Sequence, residues 1–174
     1  MKLLVGPLDA VGELCARHRP SHLVSWLSPS PISPEPAPGH PAQRLRLSCH
    51  DIAEARDGLQ PPTAEHLQRL LAFADGWSGE TPMLIHCWAG ISRSTAAAYV
   101  VACRKRPDLD EGALAQTLRR LSPSATPNPL IVRLADDLMA RYGRMAAAIA
   151  GLGRGQEAAL GAPFVFPLDT PQPH

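Results

Sequence analysis

The chain has 174 residues and 45% hydrophobic content, enough to bury one substantial core and consistent with a single domain. Its 17 Lys and Arg against 16 Asp and Glu leave a net charge of +1 and no basic run, which argues against a nucleic-acid partner. Four scattered cysteines without metal-ligand spacing argue against a disulfide-dense secreted domain. No apolar run reaches membrane-spanning length, and the first nine residues, broken at Gly6-Pro7, are too short for a signal peptide. The expectation is a soluble cytoplasmic protein that engages neither membrane nor nucleic acid.

Leu3 to Val5 and His22-Leu23-Val24-Ser25-Trp26-Leu27 read as strands, with a helix from Asp9 to His18 between them. Six prolines between Ser28 and Pro41 rule out helix or sheet, so that stretch reads as an exposed or disordered loop. Arg44 to Ser48 alternates as a strand. Pro62-Thr63-Ala64-Glu65-His66 opens a helix with the apolar stripe Leu67, Leu70, Leu71 and Phe73, ending near Gly76. Pro82-Met83-Leu84-Ile85 reads as a buried strand and Thr95 to Ala102 as a buried helix. Asp108-Leu109-Asp110-Glu111 resembles a capping box before a helix from Ala113 to Leu121. Asn128-Pro129 reads as an N-cap with proline in the first turn, opening a helix from Leu130 to Arg144.

Beyond Ala150 periodicity fades. The chain therefore divides into a domain over 1–150 and a mobile Gly/Pro-rich tail over 151–174, in which Phe164-Val165-Phe166 is the segment able to dock. Alternating strands and helices imply an α/β fold of three layers, with a central, mostly parallel sheet flanked by helices. Ligands bind at the C-terminal ends of strands in such folds.

The most informative run is His86-Cys87-Trp88-Ala89-Gly90-Ile91-Ser92-Arg93-Ser94, which joins the buried strand to the buried helix. Amides at a helix start lack internal partners and carry the positive end of the dipole, so they bind an anion and favour a thiolate. Cys87 is accordingly expected to be partly ionised near neutral pH. Gly90 lets the backbone curl so that amides face one centre, and Ala89 leaves room beside it. The planar fork of Arg93 can hold two phosphoryl oxygens, and Ser94 is placed to hydrogen-bond the sulfur when it leaves. His86 is expected to orient the loop. Trp88 can either shape the pocket rim or pack beneath it.

His-Cys-x5-Arg-Ser between a strand and a helix resembles the signature of the cysteine-dependent protein tyrosine phosphatases, and the short chain resembles their dual-specificity-like branch. The resemblance implies an enzyme that hydrolyses phosphomonoesters through a cysteinyl-phosphate, with Cys87 as nucleophile, Arg93 and residues 88–92 holding the phosphoryl group, and no metal or organic cofactor. It also implies an upstream aspartate as general acid. Two fit: Asp51, anchored directly after a strand, which is favoured, and Asp57, whose pairing with Gly58 also reads as an ordinary turn. Asp75, at a helix end beside Gly76, reads as solvated. Asn128 resembles the Pro-Asn of dual-specificity-like enzymes, where its role is mainly structural.

The chain departs from the classical tyrosine phosphatases in having neither a glutamine-bearing water-positioning motif nor a tyrosine-rich recognition loop, which leaves strict phosphotyrosine selectivity open. No loop position from Trp88 to Ser92 is basic. That points to a substrate with one phosphate, such as a phosphorylated protein or a small aryl phosphate. Cys49 raises a redox alternative, a reversible disulfide with Cys87, against the simpler reading of a small buried residue. Two other functions compete: a phosphate-binding pseudophosphatase or interaction module, and a rhodanese-like sulfurtransferase, which has less need of Ser94 or of an upstream acid.

Overall fold

A computed structural model describes residues 1–30, 41 and 43–169. Most of the proline-rich loop and the last five residues lie outside that range.

In chain order the elements are β1 (Lys2–Pro7), a single 3-10 turn (Leu8–Ala10), α1 (Val11–His18), β2 (His22–Leu27), β3 (Gln43–Ser48), α2 (Ala64–Asp75), β4 (Met83–Cys87), α3 (Arg93–Lys105), α4 (Glu111–Leu121), α5 (Pro129–Leu138), α6 (Arg144–Leu152) and β5 (Phe164–Pro167). The sheet order is β3-β2-β4-β1-β5. Four strands run parallel, and β5 lies antiparallel along β1.

Strand periodicity builds the layers. Leu3 and Val5 of β1, Val24 and Trp26 of β2, and Met83 and Ile85 of β4 face the main core with α2 to α6. The alternate residues Leu4, Leu23 and Leu84 face Val11 and Leu14 of α1 on the other side. This is the three-layer α/β arrangement expected from the sequence. From Ala96 to Cys103, α3 is buried along its whole length, because Ala96-Ala97-Ala98 lets neighbouring elements approach closely. No helix among the described residues is long and apolar enough to cross a membrane.

Three expectations need correction. The helix read from Leu130 to Arg144 breaks after Leu138, where Ala140, Tyr142 and Gly143 adopt positive φ before α6 begins. The buried carboxylate of Asp136 makes the break possible: it accepts the amides of Gly143, Met145 and Ala146 at 2.6, 2.7 and 3.1 Å, supplying the N-terminal partners α6 otherwise lacks. The domain also does not end at 150. Residues 164–167 complete the sheet, with Phe166 fully buried, so the segment read as a mobile tail contributes a strand and core. Four residues are too short to announce a strand by alternation alone; pairing along the open edge of β1 supplies what periodicity does not. At α4, Asp110 itself is the N-cap, accepting the Ala113 amide at 2.8 Å, while Asp108 pairs with Arg106.

Candidate active site

The loop from Cys87 to Arg93 sits where β4, central in the sheet, hands over to α3. Its carbonyls are tied outward by four amides from three separate segments. Leu8 N–H donates to Trp88 O at 3.2 Å, Gly161 N–H to Ala89 O at 2.8 Å, Thr126 N–H to Ile91 O at 3.0 Å and Asn128 N–H to Ser92 O at 3.4 Å. Because the N–H and C=O of a trans peptide point opposite ways, holding the carbonyls outward turns the following amides inward. The amide of Gly90, in the same peptide as the Ala89 carbonyl, accordingly donates to Cys87 Sγ at 3.2 Å. Gly90 has φ +72°, and a Cβ there would lie 2.6 Å from Pro7 N, so both conformation and space demand glycine.

Cys87 Sγ lies 3.1 Å from Ser94 Oγ. Arg93 is 4% exposed; its Nη1 donates to Cys49 O at 2.7 Å and to Ser28 Oγ at 3.1 Å, and these two anchors aim the guanidinium. Its Nε is buried without a hydrogen-bond partner and lies 3.7 Å from Asp51 Oδ2. Asp51 is thus brought to the loop. Its Oδ1 accepts from Ser92 Oγ at 2.7 Å and from Asn128 Nδ2 at 2.8 Å. The segment bearing it is fixed by Cys49 N–H on Leu27 O and His50 N–H on Gln60 O. Asp57 is exposed in a turn where Gly58 has φ +74°. Asp75 is held by Arg104, which lowers its carboxyl below the usual range.

Asn128 serves two ends at once. Its Oδ1 caps α5 through the amides of Leu130 and Ile131, while its Nδ2 reaches Asp51 and Ile52 O. Trp88 is 62% exposed, which puts it at the rim rather than beneath the loop. His86 is fully buried. With the proton assigned to Nδ1, facing Cys87 O at 3.4 Å, its Nε2 accepts from Ser25 Oγ at 2.7 Å.

Burial pushes His86 down to about 4, so the folded protein holds it neutral while the unfolded chain protonates it near 6.5. The unfolded state therefore binds more protons between pH 6.5 and 4, and stability falls as the pH drops through that window. We expect a loss of about 3 kcal/mol between pH 7 and 4, measured by urea unfolding, and a His86→Gln variant without that slope.

Cys49 accepts the Trp26 indole N–H at 2.9 Å, and burial pushes its thiol up to about 11, which disfavours thiolate chemistry there. All four cysteines are free thiols. Among the described residues no group of three or more His, Cys, Asp or Glu side chains is placed to hold a metal ion. Sequence reasoning missed Ser25, Ser28, Thr126 and Gly161, none of which carries a local signal, since each acts across the fold.

No family model and no curated protein matches the chain. Solved structures do. DUSP15 is 21% identical over 86% of this chain and 90% of its own, with a TM-score of 0.59. The human tyrosine phosphatase-like serine/threonine/tyrosine-interacting protein is 18% identical over 80% and 92%, with a TM-score of 0.62. PTPMT1 in complex with PI(5)P is 14% identical over 80% and 94%, with a TM-score of 0.58. With its five-stranded, mostly parallel sheet and its Cys loop at the end of a central strand, the chain has the fold of the cysteine-dependent phosphatases of the dual-specificity-like branch.

Proposed function

We propose that the protein is a phosphomonoester hydrolase, a protein tyrosine or dual-specificity phosphatase, working through a cysteinyl-phosphate. The observation that carries the reading is the meeting of Cys87 Sγ, the Arg93 Nε, which makes no hydrogen bond, and the Asp51 carboxylate around a loop whose Gly90 amide faces the sulfur. Cys87 thiolate attacks phosphorus in line, forming the S–P bond as the P–O bond to the leaving group breaks. Arg93 and the loop amides hold the equatorial oxygens as charge redistributes. Asp51 gives its proton to the departing oxygen. It then takes a proton from water, whose oxygen attacks phosphorus, and the S–P electrons return to Cys87, where Ser94 and the Gly90 amide receive the charge. Substrates with one phosphate, phosphotyrosine on a protein or a small aryl phosphate, suit a loop without basic residues between 88 and 92.

A binding-only module would have to lack one of these groups, and Cys87, Arg93 and Asp51 are all present together. A sulfurtransferase has no use for Asp51 held by Ser92 and Asn128. The test is para-nitrophenyl phosphate hydrolysis without added metal, followed by acid quench and mass spectrometry. Turnover with phosphate on Cys87 supports the reading; an inactive protein, or thiosulfate-to-cyanide sulfur transfer instead, overturns it.

Gly161 offers a separate check on the loop frame. A Cβ there would lie 2.8 Å from Gly90 O, a backbone atom that cannot swing aside. Gly161→Ala should push on the Gly90–Ile91 peptide, next along the chain from the one whose amide serves Cys87, and lower kcat by about 10²-fold, while circular dichroism stays that of the folded parent.

A further inference from the structure

Beside the Cys loop runs a groove of about 1130 Å³, walled by α5, α6 and residues 153–159. Ile91 and Ser92 form its near end, so it opens at two positions of the phosphate loop itself. The Ser92 hydroxyl also donates to Asp51, which sets the groove on the side where the leaving oxygen would depart. Its floor is apolar, with Val132 and Ile149 buried, and its edge carries Arg133, Arg154 and Glu157, all exposed.

We propose that this groove binds the polypeptide flanking the phosphorylated residue, seating an apolar side chain on the floor and an acidic one against Arg133 and Arg154. The inference rests on the hydrolase reading and deepens it. The volume lies just above the range of ordinary ligand pockets, well beyond what a lone aryl phosphate fills. Two guanidinium groups complement a carboxylate. Glu157 on the same edge, and the absence of any basic residue from 88 to 92, oppose a multiply charged lipid headgroup and favour a peptide of mixed character.

The experiment compares three nine-residue phosphotyrosine peptides, flanked by Glu and Leu, by Ala, or by Lys, together with vesicles containing a phosphatidylinositol monophosphate. Each is given to the parent, to Arg133→Ala/Arg154→Ala and to Ala150→Trp, which fills the groove from an exposed helix position. Para-nitrophenyl phosphate reports the chemistry alone, and fluorescence polarisation of the same peptides on Cys87→Ser protein, with and without the groove substitutions, reports binding without turnover. We expect about tenfold higher kcat/KM and affinity for the Glu/Leu peptide than for the Ala peptide, carried by KM. Either groove variant should erase that preference and leave para-nitrophenyl phosphate turnover unchanged. Equal affinities for all peptides, a preference that survives both variants, or groove variants that impair only the vesicle reaction would overturn the proposal. An inactive parent whose Cys87→Ser form still shows the groove-dependent preference would support the groove while overturning the hydrolase reading.

Discussion

Cys87→Ser should lower para-nitrophenyl phosphate turnover by about 10⁵-fold while leaving tungstate binding within about threefold of the parent. A serine hydroxyl fits the space between the Gly90 amide and Ser94 Oγ, where the sulfur now lies 3.2 and 3.1 Å from its neighbours. It does not ionise there as a thiol can, so no nucleophile is delivered. The anion site survives because its frame lies elsewhere, in Arg93 anchored on Cys49 O and Ser28 and in carbonyls pinned by residues 8, 126, 128 and 161. Calorimetry with tungstate and a stopped assay separate the two readouts. Retention of a tenth of the parental rate would remove Cys87 from the mechanism.

Asp51→Asn should lower kcat by about 10²–10³-fold, whereas Asp57→Asn should stay within about twofold of the parent. Asparagine keeps acceptors for Ser92 and Asn128 but has no proton to give and no base to take one. The loss should be larger with phenyl phosphate than with para-nitrophenyl phosphate, because the nitrophenolate leaves readily without a proton and phenolate does not. For the activated ester the residual defect then reports water activation in the second step. Steady-state kinetics on both esters check this, and a larger effect at Asp57 would transfer the role to that exposed turn.

The site loop was legible because anion chemistry at a helix start is local: Cys87, Gly90, Arg93 and Ser94 lie within eight consecutive residues. Asp51 was legible at a distance because the strand before it fixes where its backbone must emerge. Asn128 was half legible. Its spacing from Pro129 announces a cap, but nothing local announces that the other end of the same amide meets Asp51.

The α5–α6 break was hidden for a similar reason. Leu130 to Arg144 has helical composition, and the carboxylate that rewards stopping sits inside that run, with its partners seven to ten residues ahead. The short strand β5 follows a Gly/Pro-rich stretch, which composition reads as disorder, because its stability comes from β1 at the far end of the chain.

The bracing of the Cys loop has a temporal consequence. During synthesis Cys87 and Arg93 emerge together, yet three of the four amides that pin the loop carbonyls belong to residues made later, the last of them Gly161. A partly made chain therefore holds the Cys87 thiol without the frame that aims an amide at it, and the loop is fully braced only as the segment around Gly161 docks. The same order works in reverse: a protease nick in the exposed stretch around residues 157–160 would silence the site before it unfolded the sheet.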